Sequence, residues 1–268
     1  MNTKSNASVS LMYTLDEHNN GLYQRVVQKG NVTKSNCYAL QLYKGGTYVF
    51  KASLQSDMNF NKNTVLTLTG IAGGHTQTFE YAGQKNSWFV GTKGKKSTAD
   101  NEKRFWASQI ARVQIPDKTT HTTNINLPRL SYLNRAGIGK KIDASGNFTE
   151  ETFTGKDLFR SEAAVSPDYT KFLLATIDTT GNGYFFLYNL ATINRELNQA
   201  GNSDVNIGNI SCLGYFAIPN ITNRYSGIGS IQGYDLDDRN NIYISSQKSG
   251  ESERNIYKIP WGKIKKEA

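Results

Sequence analysis

The sequence predicts an all-β fold in which one short multi-strand unit recurs, the pattern of a β-propeller. Three observations carry this. Most apolar segments are short, β-branched or aromatic, and bounded by Gly, Asn, Asp or Lys, as strands are. Four stretches share a Gln or Glu at one phase and end in turn-forming residues. Only LATINRELNQAG, Leu190 to Gly201, reads as a helix: Leu190, Ile193 and Leu197 share a face and Gly201 is a natural stop.

The units follow in order. The first begins at Tyr23 with YQRVVQKG and continues with CYALQL and TYVFKAS; TVLTLTG follows as a further strand. The second begins at Thr76 with TQTFEYAG and continues with WFVGTK and QIARVQI. The third begins at Ser161 with SEAAVSPD and continues with FLLATI and YFFLYNL, leading into the helix. The fourth begins at Ile231 with IQGYDLDD and continues with IYISSQ and NIYKIPW. Residues 1–268 are thus one propeller domain with repeats beginning near 23, 76, 161 and 231, and residues 1–20 are a candidate flanking outer strand. The innermost strand of a blade runs along the central channel. Gln24, Gln77, Glu162 and Gln232 are therefore expected as a polar ring near the axis, with His75 and Ser230 beside it as further ligand-binding candidates. Such a ring has two readings: mutual satisfaction of buried polar groups, or a ligand site.

With 31 Lys+Arg against 22 Asp+Glu, the 268-residue chain carries a formal charge of +9, and its pI is about 9.4. That balance favours an anionic partner, whether nucleic acid, lipid surface or cell-wall polymer. Cys37 and Cys212 sit in apolar strand text and read as two buried thiols. The N-terminal text lacks the continuous apolar core of a secretory signal, and no run approaches the length of a membrane span.

The blocks VVQKGNV (26–32), AGGHTQTFEYAG (72–83), WFVGTK (88–93), QIARV (109–113), LPRLSYLNRAG (127–137), EAAVSPDYTKFLLAT (162–176) and SIQGYDLDDRNNIYISSQK (230–248) closely resemble the helveticin J family of large bacteriocins from lactic acid bacteria. The resemblance is collinear from about residue 20 to 260. It implies a heat-labile antibacterial protein, made in the cytoplasm and secreted without a recognisable signal peptide, that acts on related Gram-positive bacteria. It also implies a fold similar to the five-bladed propellers of some phage receptor-binding proteins, which recognise wall teichoic acid. Four repeats are visible here and the last blade reads as missing or incomplete. Self-association or a partner chain is the candidate means of completing the ring.

His75 has no partners at zinc-binding spacing, since His18 and His121 lie in polar text without HExxH or CxxC, so no metal is expected. The run Asp235 to Asn240 lacks the Gly and Glu of an EF-hand loop and reads as an Asx-rich hairpin turn, like Ser166-Pro167-Asp168. Ser230 lacks the spacing of a nucleophile elbow. No catalytic residue and no cofactor are assigned. The carboxylates Glu80, Glu162 and Asp235 keep a wall-glycan or phosphodiester hydrolase as the alternative reading, beside a non-toxic wall-binding relative. Lys93, Lys95, Lys96 and Arg129 are the candidates for contact with an anionic envelope glycopolymer, with Trp88, Trp106 and Tyr132 as aromatic partners for sugar rings. No nucleic-acid motif is present, and nucleic acid is not expected as a partner.

Overall fold

The computed structural model describes residues 8, 10–13, 21–55, 58–60, 64–93, 106–116, 121–123, 126–142, 145, 148–152, 157–247 and 254–261, with the backbone alone at 121–123, 138–142 and 148–152. These residues form a propeller of four blades, with one α-helix among them. Blade one holds β1 (Val27–Val32), β2 (Asn36–Tyr43), β3 (Gly46–Ser53), β4 (Thr64–Leu68) and β8 (His121–Thr123), in that order from the axis. Blade two runs from β5 (Phe79–Tyr81) through β6 (Ser87–Thr92), β7 (Gln109–Gln114) and β9 (Arg129–Ser131) to β15 (Asp204–Asn206). Blade three runs from β12 (Leu158–Val165) through β13 (Lys171–Asp178), β14 (Gly183–Asn189) and β16 (Cys212–Ile218) to β10 (Ile138–Ile142) and β11 (Phe148–Thr152). Blade four comprises β17 (Ile231–Leu236), β18 (Ile242–Gln247) and β19 (Arg254–Ile259).

The expected strand units are all present. What sequence reasoning did not show is that outer strands are exchanged along the chain. β15 leaves the blade-three portion and pairs parallel with β9 of blade two, while β10, which precedes blade three's inner strand, pairs parallel with β16. Among the described residues a fifth blade is not seen. Instead β1 lies against both β5 and β17, and β12 lies against the same two, so the four inner strands close a circuit within this one chain.

Apolar layers between blades hold the circuit. Blades one and two share Tyr38, Leu40, Val49, Phe79, Trp88 and Val90. Blades two and three share Phe89, Ile110, Phe172, Leu174 and Phe186 with the buried face of the helix α1 (Leu190–Ala200). The Asn189 side chain accepts the Thr192 N–H at 3.0 Å and caps α1, and Gly201 ends it at φ 59. Blades three and four share Leu173, Phe185, Phe216, Tyr234 and Ile244. Cys37 and Cys212 are buried, in blades one and three respectively. The Asx turn expected after Asp235 is found with Asp237 at its centre. Its carboxylate accepts the Arg239 and Asn241 N–H groups, the Asn241 amide and the Tyr243 hydroxyl. Blade three repeats this device with Asp178, Asn182 and Tyr184, between β13 and β14.

Candidate functional site

Two polar clusters occupy the axis. The first gathers at the leading ends of the inner strands and centres on Glu162 of β12 and Arg160 two residues before it. Spacing of two in a strand puts both side chains on one face, and Arg160 Nε meets Glu162 Oε1 at 3.1 Å, with side chains 4% and 1% exposed. Glu162 Oε2 accepts from the Thr76 hydroxyl (3.0 Å), the Gln77 backbone N–H (2.9 Å) and the Thr78 hydroxyl (2.7 Å). Arg160 also donates to Gln77 Oε1 and, at 3.0 Å, to the Ile231 carbonyl of blade four. Its guanidinium lies 3.9 Å from the Trp106 ring centroid, a cation–π geometry. On its other face Trp106 stacks with His75, centroids 4.0 Å apart at 13°, and His75 Nε2 meets Gln28 Oε1 at 2.8 Å. Burial, and next to it the positive charge of Arg160, push the His75 pKa down to about 4, so the ring is neutral near pH 7. Gly91 makes this packing possible: a Cβ there would come within 2.2 Å of Thr76 Oγ1, the hydroxyl that serves Glu162.

The second cluster lies further along the strands, where blades one, two and four meet. Lys29 Nζ is 2.8 Å from Glu80 Oε1 and 3.7 Å from Asp235 Oδ2, and it donates to the Tyr234 carbonyl at 2.9 Å. Burial pushes Glu80 up to about 7 despite the lysine. Burial pulls Lys29 downward, but the Glu80 and Asp235 carboxylates outweigh it and hold the ammonium above its usual range.

Of the sequence-predicted residues, the structure brings His75, Gln77 and Glu162 together. Gln24 departs from the expected ring: it is exposed and precedes β1, and Gln28 is the blade-one residue that joins the cluster. Gln232 is exposed as well and donates to Ser230 Oγ at 2.7 Å, so these two lie on the surface beside the Ile231 carbonyl that Arg160 holds. Lys93 is half-buried, its side chain passing over Gly74 beside His75. Arg129 is not the surface cation expected. It is fully buried and donates to the Lys93 carbonyl (3.0 Å) and Gln109 Oε1 (3.2 Å), tying β9 to the neighbouring strands. Lys95, Lys96 and His18 lie outside the described residues, as does the side chain of His121. Trp88 is buried face to face with Phe79 at 4.5 Å, and Trp106 is engaged by His75 and Arg160; Tyr132 is 51% exposed, with the Arg135 guanidinium over its ring at 4.8 Å.

Arg160 and Lys29 were not singled out from the sequence. The Arg-x-Glu spacing at 160–162 carried the signal for the first; Lys29, between Gln28 and Gly30, had none. Chemically, the first cluster is a set of cross-links. Each oxygen of Glu162 is engaged, and proton transfer through it would break bonds that join blades two and three.

These features define a four-bladed β-propeller whose axial side chains bind one another. A family model described as "Bacteriocin helveticin-J" matches residues 3–268. The chain belongs to this family. Bacteriocin helveticin-J of Lactobacillus helveticus is 41% identical over 288 aligned residues, which cover 100% of this chain and 80% of the relative. Among solved structures, TolB from Acinetobacter baumannii aligns with TM-score 0.37 and 12% identity over 84% of this chain and 38% of its own, too distant to carry an argument. Among the described residues no helix is long and apolar enough to cross a membrane.

Proposed function

We propose that this protein is an antibacterial protein of the bacteriocin type, whose propeller binds an anionic component of the target cell envelope, such as the teichoic acid of related Gram-positive bacteria, outside the cell that makes it. The observation that carries the reading is the match to bacteriocin helveticin-J along the whole chain. The excess of basic residues, +9 in formal charge, supports an anionic target. The axial groups are committed to one another, which shifts recognition to the exposed faces of the blades.

The test is binding of the purified protein to walls of a sensitive strain before and after chemical removal of teichoic acid, together with killing of that strain. Binding is expected to fall on removal. It is also expected to weaken from low to physiological salt, where the screening length shrinks to about 8 Å. Lys93→Glu is expected to lower binding with an unchanged melting curve. Equal binding to stripped and intact walls would refute the anionic-polymer reading.

A further inference from the structure

A groove of about 280 Å³ opens between the β5–β6 turn of blade two and the first turns of α1, its walls including Gln84, Tyr169, Ala191, Asn194, Arg195 and Asn198. Behind them lies Arg112 of β7, 7% exposed. Its Nη1 donates to Gln84 Oε1 (3.1 Å), the Asn194 carbonyl (3.1 Å) and Asn194 Oδ1 (2.9 Å), and its Nη2 to Asn198 Oδ1. A guanidinium has donors only, so each amide must turn its oxygen toward Arg112. The amide nitrogens then point the other way. That of Asn194 goes to the Ala82 carbonyl at 2.7 Å; those of Gln84 and Asn198, on residues that line the groove, are left as donors on its side. None of these acceptors of Arg112 is a carboxylate, so the groups that hold it leave its charge uncompensated.

Tyr169 supplies an apolar wall. Its ring is half exposed and braced edge-on by Tyr81, centroids 5.4 Å apart. Its backbone sits at φ 56, a region that aromatic residues rarely adopt. Gly83, at φ 69, closes against it: a Cβ there would lie 3.1 Å from Tyr169 Cβ. A flat aromatic surface beside oriented amide donors and a buried positive charge suits a sugar ring that carries an anion.

We propose that this groove seats one anionic sugar unit, the ring against Tyr169 and its phosphate or carboxylate on the amide donors of Gln84 and Asn198 in the field of Arg112. As an assignment of where an envelope polymer is held, this rests on the proposed wall binding; as a sugar-binding site it can be tested alone. Four probes are titrated into the full-length protein and followed by NMR: N-acetylglucosamine 1-phosphate, glucuronic acid, N-acetylglucosamine and inorganic phosphate. At least one anionic sugar is expected to bind tenfold or more tighter than the neutral sugar or free phosphate, and which one it is identifies the substituent. The double change Gln84→Glu with Asn198→Asp keeps an oxygen for Arg112 but turns each groove donor into an anionic acceptor. It is expected to weaken binding at least tenfold; Tyr169→Ala, which leaves the Arg112 bonds intact, is expected to weaken it too and serves as the folded comparison if the double variant melts early. Absence of saturable binding by both anionic sugars, or binding that survives the double change in a folded protein, overturns the proposal. Wall binding by the same variants separates the two ideas. Teichoic-acid-dependent wall binding that the variants retain sinks the groove and leaves the proposed function standing. Sugar binding in the groove without teichoic-acid-dependent wall binding does the reverse.

Discussion

Blade three is joined to its neighbours differently from the way blade one is joined to blade four. On either side of blade three lies a layer of buried aromatic and aliphatic side chains, with Phe172 and Phe186 toward blade two and Phe185 and Phe216 toward blade four. The apolar cluster on the far side of blade one, Cys37, Ala39, Phe50, Ala52, Met58 and Phe60, includes no residue of blade four. Among the described residues that seam is spanned at the axis by Lys29, through Asp235 and the Tyr234 carbonyl, while the Glu80 that also meets Lys29 belongs to blade two. The contrast shows two ways of closing a ring. Apolar layers supply most of the stability, because they scale with area removed from water. A buried ion cluster supplies little net stability against its desolvation cost, yet removal of one partner is expensive. The seam is thus the weaker joint and the more sensitive to conditions.

Three measurements press on this comparison. Phe185→Ala should have the largest effect. Its ring is 1% exposed and stacks on Phe216 at 5.1 Å, and cavity formation at such sites costs about 3–5 kcal/mol, read by denaturant unfolding. A cost near zero would mean that the blade three–four layer is not the stronger joint.

Lys29→Met should have a smaller, pH-dependent effect. The Glu80 pKa is raised in the folded protein to about 7, above its unfolded value. The folded state therefore binds the Glu80 proton more tightly, and stability from this group is present at low pH and lost as pH rises from about 4.5 through 7. Loss of the lysine raises that pKa further, so the variant should lose roughly 1–3 kcal/mol more than the wild type by pH 8 and much less at pH 5. His75, whose lowered pKa acts in the opposite sense as pH falls through 6.5 toward 4, is common to both proteins and cancels in the difference. A variant penalty that does not change with pH would refute the coupling of Lys29 to Glu80 at this joint.

Tyr184→Phe should be the mildest. It removes one hydroxyl bond, 2.8 Å to Asp178, while Thr180 and Asn182 keep the carboxylate paired. About 1 kcal/mol is expected. Tyr243→Phe, the counterpart on Asp237 in blade four, should cost no more.

The second and third strands of every blade were legible because their buried faces demand β-branched and aromatic residues. The inner strands were legible only in part. Gln77 and Glu162 meet at the axis as their shared phase predicts, whereas Gln24 and Gln232 do not. The reason lies in the backbone: β1, β12 and β17 each shift register near their start, at Gln28, Phe159 and Gln232 respectively. A bulge interrupts the alternation of side chains, so counting by twos along the sequence cannot say which residue faces inward. The short outer strands β8 and β15 were not legible either, since three polar or half-buried residues leave no periodic signal. Nor did composition distinguish Arg129, buried under Lys93, from a surface cation; its burial is decided by tertiary partners alone.

The exchange of outer strands bears on how the protein comes off the ribosome. In a simple solenoid each repeat can fold as soon as it is synthesised, because it touches only its neighbours. Here blade two waits for β15, at Asp204–Asn206, and β10 stays at arm's length from its sheet until β16, at Cys212–Ile218, arrives to lie between it and β14. A nascent chain halted near residue 200 would hold two unfinished sheet edges at once, so the middle blades must mature together and late, the slow course expected of long-range pairing.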